Sequence, residues 1–419
     1  MPRTCQTGNA NLRIDLAAPP NWTYGPGAEI IGNVARDSPV VSPEASLTLT
    51  LNGRVKTKIE VSRGQAKDVY RGRWNLFPPR SLLLYQGPLH GQKGDPLLWP
   101  FSIHLPSRAD SSVLKGHFKE ESFLPLNEDH VANSPLPGTA SVINDGIGSR
   151  TSHGFVEYFL TATLRYKRAG SFEGATANMP ITVRHPPGPK PAAVIYRTRP
   201  WKTDVRIHSQ RLVPGMENAE LSFKQKTQKL FHSSKVPELH FTVEIGSPRV
   251  IQLDNPTPFP FTIRLTPQMT GTSPVIRDVV QQFQLNWVKM KIRSGNALRA
   301  PGNWLESVHR HDTEQKSNFC LERAFSRLET PVMIPCTEGE KNMVNIGNML
   351  QLVLRSNGLT ACLTSGGRQL CTVANFAPDY TTYNIRHKNL TVDWELNLSL
   401  VEETVSVKAR LPVQILPAL

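Results

Sequence analysis

Apolar and polar residues alternate along much of the chain. Leu12, Ile14 and Leu16 alternate with Arg13 and Asp15, the period-two pattern of a strand with one buried face. Ile30, Ile31 and Val34 form a second apolar run. Between them lie Pro19-Pro20 and Tyr24-Gly25-Pro26-Gly27, where proline fixes φ and glycine opens conformations closed to other residues. The pattern predicts a strand, a tight turn and a return into a sheet. Leu47, Leu49 and Leu51 then alternate with threonines up to Asn52-Gly53, a strong two-residue hairpin signal, and Val55, Thr57 and Ile59 continue on the return side. Apolar blocks flank Pro78-Pro79, and strands are predicted at Leu97–Pro106, Phe155–Leu164 and Met179–Val183. Residues 107–150 are polar and weakly patterned, which predicts a long mobile connection with one short strand or helical turn.

The run His185-Pro186-Pro187-Gly188-Pro189-Lys190-Pro191 sustains neither helix nor sheet and marks a domain boundary. Beyond it, strands are predicted at Ala219–Lys226, His240–Ile245, Pro258–Ile263, Thr330–Ile334, Leu350–Leu354, Thr381–Ile385, Leu390–Val401 and Val405–Leu416. Val279–Ile292 is expected to be the longest strand, and Asn303–Arg310 is the best helix candidate. The expected fold is therefore all-β, with domains at residues 1–188 and 189–419. The length of 419 residues fits two cores of roughly 200 residues each. The 35 prolines and 28 glycines suit many short strands joined by turns.

No apolar run reaches the roughly 18 residues that a membrane span needs. The first 15 residues lack the apolar stretch of a secretory signal. Five cysteines, an odd number with no CxxC pair, are expected to be reduced thiols; Cys362 and Cys371 flank Ser365-Gly366-Gly367 and could face each other across a hairpin. There is no GxSxG, no phosphate-cradling GxxxxGKS and no HExxH. His309-Arg310-His311-Asp312 is the one cluster of metal-ligand types, with Cys320 as the nearest further donor, and it is read as a solvated loop. Glu120-Glu121 and Asn127-Glu128-Asp129 fall in the weakly patterned connection, a poor place to hold a rigid carboxylate pair. The expectation is a protein that is not an enzyme and needs no cofactor.

Charge changes this picture most. The net charge is +14, and two stretches hold nearly all of it. Arg54 to Arg80 carries eight cations against two acids, and Arg197 to Lys235 carries nine against three. Such concentration attracts anionic lipid head groups, acidic or phosphorylated tails, or nucleic acid. As strand residues, Arg54, Lys56 and Lys58 would share one face, opposite Val55, Thr57 and Ile59. The candidate binding residues are Arg54, Lys56, Lys58, Lys67, Arg71 and Arg73 in the first stretch and Arg197, Arg199 and Lys202 in the second. No nucleic acid is expected, because no helix-turn-helix, RNP pair or zinc knuckle is visible.

Several motifs occur in a telling order. They are the Tyr24-Gly25-Pro26-Gly27 turn, Trp99-Pro100-Phe101 closing on Leu105-Pro106, and Val156-Glu157-Tyr158-Phe159-Leu160. Pro258-Phe259-Pro260-Phe261-Thr262-Ile263 and Tyr383-Asn384-Ile385 follow in the second half. In this order they resemble the arrestin fold over nearly the whole chain, in particular the α-arrestins, the arrestin-domain trafficking adaptors. The resemblance implies two tandem arrestin-like, immunoglobulin-type β-sandwich domains. It implies a non-enzymatic cytoplasmic adaptor, recruited to the plasma membrane or endosomes. Such an adaptor binds the cytosolic tails of membrane receptors or transporters, and anionic lipid, in endocytosis, protein sorting and ubiquitin-linked trafficking or signalling. It also implies that basic residues on the concave side of the first domain grip cargo.

Many α-arrestins recruit a ubiquitin ligase through Pro-Pro-x-Tyr motifs read by WW domains. Pro19-Pro20-Asn21-Trp22, Pro78-Pro79-Arg80-Ser81 and Pro186-Pro187-Gly188-Pro189 all lack the tyrosine, and Ala377-Pro378-Asp379-Tyr380 is a degenerate version beside a predicted strand. The last predicted strand lies directly before Leu419, so no long tail carrying such motifs is expected, and a ligase would be reached through another adaptor. The alternatives are a structural subunit of a coat or retromer-type complex and, from another class, a β-sandwich hydrolase or carbohydrate binder. The latter needs a carboxylate pair on rigid strands and an aromatic-lined pocket.

Overall fold

A computed structural model describes residues 3–144, 149–168, 170–187, 198–230, 235–302, 308–325, 328, 330–339, 342–362, 368–372 and 376–418. The opening alternation forms β1 (Arg13–Leu16), followed by β2 (Thr23–Tyr24) and β3 (Glu29–Arg36). β1 and β3 pair antiparallel with Ile14 opposite Val34, both buried. Gly27 takes a φ of +82° in the turn before β3, a conformation that costs other residues.

β4 (Val40–Arg63) runs straight through Asn52-Gly53, so the predicted hairpin is absent. A two-residue turn there would pair Leu51 with Arg54 and put both on one face. The charged row would then share the face of the leucines. A continuous strand keeps Leu47, Leu49, Leu51, Val55 and Ile59 together, and all five are buried. Gly53 serves packing: a Cβ there would lie 2.4 Å from the Phe77 ring and 2.9 Å from the Tyr158 ring.

β5 (Ala66–Asn75), β6 (Arg80–Gly91), β7 (Leu97–His104), β8 (Ala140–Asn144), β9 (Arg150–Arg168) and β10 (Ser171–Val183) follow. They build two sheets. One has the order β1-β3-β7; the other runs β2-β10-β9-β4-β5, with β6 on β4 and β8 on β9. Val34, Phe101 and Ile103 of the first sheet and Leu47, Leu160 and Leu164 of the second are buried, as in a sandwich whose sheets cover each other's apolar faces. The connection after β7 is more structured than its composition suggests. It contains 3-10 turns at Ser111–Leu114 and Lys119–Glu121 and a helix at Glu128–Asn133, capped by Asn127. Val113, Val131 and Leu136 anchor it in the core.

The chain divides into two compact units. The first comprises residues 1–187, 296–313 and 380–387; the second comprises 188–295, 314–379 and 388–419. The later segments complete the first unit's packing. Trp74 is fully buried, with the His117 ring 3.6 Å away and the Tyr383 ring 4.9 Å away. Tyr70 stacks on His309 at 3.5 Å. The Thr57 hydroxyl donates to the Arg299 carbonyl at 2.6 Å and accepts from Asn384 Nδ2 at 3.0 Å.

The second unit holds β11 (Thr198–His208), β12 (Glu238–Pro248), β13 (Val250–Gln252) and β14 (Thr262–Pro267). β15 (Gln281–Pro301) and β16 (Val308–Cys320) begin or end in it, and β17 (Val332–Cys336) and β18 (Val344–Asn345) lie within it. β19 (Val353–Arg355), β20 (Gly358–Cys362) and β21 (Arg368–Thr372) form a separate small sheet. β22 (Tyr380–Thr381), β23 (Ile385–Leu400), β24 (Glu403–Pro412) and β25 (Gln414–Leu416) end the chain's strands. The main sheet runs β11-β12-β14-β17-β15-β23, with β24 on β23. Its core centres on Phe241, Phe259, Phe261, Phe283 and Trp394, with Trp394 stacked on Phe261 at 3.8 Å.

Several expectations are corrected here. Phe223–Leu230 is a helix where Ala219–Lys226 was expected to be a strand. Ser222 and Gln225 form a reciprocal cap: Ser222 N–H donates to Gln225 Oε1 at 2.8 Å, and Gln225 N–H donates to Ser222 Oγ at 3.4 Å. Pro258 and Pro260 have no N–H to donate to a ladder, and β14 starts only at Thr262. β4, at 24 residues, exceeds the 21 of β15 as the longest strand. Of the helix candidate Asn303–Arg310, residues 303–307 lie outside the described residues, and Val308 to Arg310 are strand. Cys362 and Cys371 are not opposite each other: Cys362 pairs with Arg368 and Cys371 with Leu359.

Candidate functional site

The first basic stretch becomes one sheet face. β4 carries Arg54, Lys56, Lys58 and Glu60 on one side. β5 sets Asn75 opposite Arg54, Arg73 opposite Lys56, Arg71 opposite Lys58 and Lys67 opposite Ser62. On the other flank, β9 sets Glu157 opposite Arg54, Phe155 opposite Lys56 and His153 opposite Lys58. Directly paired residues share a face, so the alternation that buries Val55 and Ile59 on one side gathers this charged row on the other.

Two buried carboxylates organise the row. Glu157 is 2% exposed. Its Oε1 accepts from Arg54 Nε at 2.6 Å and lies 3.0 Å from Lys56 Nζ; its Oε2 accepts the Thr4 backbone N–H at 2.7 Å. Burial pushes the Glu157 carboxyl up, but the Thr4 N–H, Arg54 and Lys56 outweigh it and hold the group below the usual carboxylate range. Glu60 lies 2.5 Å from Lys58 Nζ and 2.9 Å from Lys67 Nζ. Hydrogen bonds from Lys58 and Lys67 bring its pKa down to about 2. Aromatic rings support the cations from the same face: Arg54 lies 4.6 Å from the Phe159 centroid and Lys56 5.4 Å from that of Phe155.

Arg71 and Arg73 stand apart from these pairs. Both are exposed, two residues apart on β5, and among the described residues neither has a carboxylate within ion-pair distance. Arg73 Nε donates to Asn75 Oδ1 at 3.3 Å. Burial and then the neighbouring Arg54 lower the Arg73 pKa, with Glu157 opposing them. The six cations and the two carboxylates of this face sum to +4. β5 is also the last strand of its sheet among the described residues. An edge strand has backbone groups turned outward that can pair with an extended peptide.

Six of the nine candidate residues are thus brought together: Arg54, Lys56, Lys58, Lys67, Arg71 and Arg73. Arg199 and Lys202 lie on β11 of the second unit and, three residues apart, point to opposite faces. Lys202 Nζ lies 3.3 Å from Glu244, which also takes Arg264 at 2.6 Å. Arg197 lies outside the described residues. Glu157 and Glu60, which fix the geometry, carry no sequence signal that marks them as partners of this row.

The other candidate sets take structural positions. His309 and His311 do share a strand face, but His309 stacks on Tyr70 and His311 Nδ1 lies 2.9 Å from Ser152 Oγ. Among the described residues no group of three or more His, Cys, Asp or Glu side chains is placed to hold a metal. Glu121 is buried against His117, Nδ1 to Oε2 at 3.1 Å, while Glu120 is exposed. Tyr380 is buried and stacks near His387 at 5.4 Å, so the degenerate Ala-Pro-Asp-Tyr run does not offer its tyrosine to a partner. A cavity of about 640 Å³ in the second unit is lined by cations that are mostly paired. Arg293 and Arg410 share Asp393, and Lys408 meets Glu395. Among the described residues no helix is long and apolar enough to cross a membrane.

No protein-family model matches the chain, and no curated protein matches its sequence.

Proposed function

We propose that the chain is a non-enzymatic adaptor of the arrestin type. Its first unit grips acidic or phosphorylated segments in the cytosolic tails of membrane proteins. The binding face is the β4–β5 surface, with Arg71 and Arg73 as its contact residues. The observation that carries this reading is the exposed Arg71–Arg73 pair on an edge strand, beside a face of net charge +4. Guanidinium forks match carboxylate and phosphate oxygens, and the β5 edge offers main-chain pairing to an extended peptide. Arg54, Lys56, Lys58 and Lys67, tied to Glu157 and Glu60, supply the surrounding positive field. In this reading the protein works in the cytoplasm at the plasma membrane or endosomes, in sorting, endocytosis and ubiquitin-linked trafficking or signalling. It reaches a ubiquitin ligase through another adaptor and also touches anionic lipid.

The test is the double reversal R71E/R73E, with a fluorescent acidic phosphopeptide as probe at two salt concentrations. The wild type is expected to bind more weakly as salt rises, and the variant to lose affinity by about tenfold or more. Equal affinities would sink the assignment of this face. A pull-down from cytosol and solubilised membranes separates the cellular roles. Membrane proteins lost on reversal support the adaptor, whereas one stoichiometric soluble complex that survives reversal supports a coat or retromer-type subunit.

A further inference from the structure

Three arginines of the first unit, two from residues 296–313 and one from residues 380–387, lie around one phenylalanine ring. The guanidinium carbon of Arg299 lies 4.1 Å from the Phe123 centroid, that of Arg386 4.9 Å, and that of Arg310 6.0 Å. The backbone fixes the arrangement. Phe123 N–H donates to the Tyr383 carbonyl at 2.6 Å, and Arg299 N–H donates to the Asn384 carbonyl at 2.9 Å. Arg299 Nη1 holds the loop by donating to the Glu120 carbonyl at 3.0 Å and to the Ser122 carbonyl.

Like charges are crowded here. Arg310 pairs with Asp312 at 2.9 Å. Arg386 is half-buried, and among the described residues it has no carboxylate within ion-pair distance. Three guanidiniums against the carboxylates of Asp312 and Glu120 leave the cluster at +1, a net positive charge that favours an anion. Burial and then the two neighbouring arginines lower the Arg299 pKa, with Asp312 and Glu120 opposing. An anion bound among the three would remove that repulsion.

We propose that Arg299, Arg310 and Arg386, gathered around Phe123, form an oxyanion site that takes the phosphoryl group of a phosphorylated serine or threonine side chain. A peptide side chain is favoured over a membrane because Phe123, Arg299 and Arg386 are half-buried, within reach of a narrow side group and not of a flat bilayer. This site does not rest on the β4–β5 reading. Thr57, which points away from the Arg54–Lys58 row, bonds the Arg299 carbonyl, so the two sites lie on opposite sides of β4.

The probes are inorganic phosphate and N-acetyl-phosphoserine amide, titrated at constant ionic strength into the full chain, wild type and R310Q/R386Q, with calorimetry and thermal unfolding as readouts. Saturable binding of both probes is expected in the wild type, with affinity at least about tenfold weaker in the variant. Without anion, R310Q/R386Q is expected to melt at or above the wild-type temperature, because like charge has been removed. R386K covers the case of a double variant that does not fold: lysine keeps the charge but lacks the fork, so phosphoserine affinity still falls several-fold. No saturable binding in the wild type, or affinity unchanged in either variant, would overturn the site. So would binding confined to vesicles carrying phosphoinositide head groups. Phosphoserine amide binding that falls in R71E/R73E but not in R310Q/R386Q would place the phosphoryl group on the β4–β5 face and overturn this site, which keeps the two readings distinguishable.

Discussion

Glu157 is the residue on which the basic face depends. It is buried, and Arg54 and Lys56 reach it from one strand while Thr4 reaches it from the start of the chain. Replacing it with glutamine takes its carboxylate charge away from Arg54 and Lys56, both largely buried, and removing one partner of a buried pair typically costs 3–5 kcal/mol. E157Q is expected to lose about 3 kcal/mol of stability in urea denaturation. The same logic makes Lys56 a poor probe of binding, since its reversal would damage the fold; Arg71 and Arg73 are clean probes. Glu60 adds a pH dependence. Its carboxyl, lowered from 4.5 to about 2 by Lys58 and Lys67, favours the folded state wherever it is ionised. That contribution is present above pH 4.5 and disappears as pH falls toward 2. The difference in melting temperature between wild type and E60Q is therefore expected to be largest above pH 5 and to close by about pH 2. The charged row was legible in the sequence because i, i+2 spacing fixes a face. Its carboxylate partners were not, because Glu157 lies 103 residues from Arg54 and only strand pairing joins them.

At the level of elements, alternation located most strands, and it contained one answer that the turn signal obscured. Asn52-Gly53 reads as a hairpin by residue type, yet only an uninterrupted β4 keeps the leucines and Val55 on the same side. The glycine is required by the rings of Phe77 and Tyr158 that cross it. G53A is accordingly expected to destabilise the first unit by about 2 kcal/mol, within the range for overpacked cores, seen as a lowered urea midpoint with an unchanged m-value. The Phe223–Leu230 helix reads as a strand, although Ser222 and Gln225 stand at capping-box spacing. The three-arginine cluster was not legible. Arg299 and Arg310 sit on neighbouring ends of β15 and β16 while Arg386 lies far along the chain, and none stands in a basic run of its own.

For the whole molecule, the Pro-rich run after Val183 coincides with the end of one continuous part of the first unit, at Pro187. Nothing in composition sets residues 296–313 and 380–387 apart from their surroundings, because β15, β16 and β23 continue their alternation through them. Those short returns nevertheless supply Tyr383 beside Trp74, His309 beside Tyr70 and the Arg299 carbonyl for Thr57. A fragment of residues 1–187 is therefore expected to expose Trp74, showing red-shifted tryptophan fluorescence and a broad thermal transition; a sharp transition and blue emission would show that the returns are dispensable. The same discontinuity bears on synthesis. After Pro187 leaves the ribosome's peptidyl-transferase centre, 200 more residues must be added before His387 follows it. At 5–20 residues per second that is roughly 10–40 s, during which the first unit waits half-finished, its Trp74 surface open to chaperones and to other nascent chains.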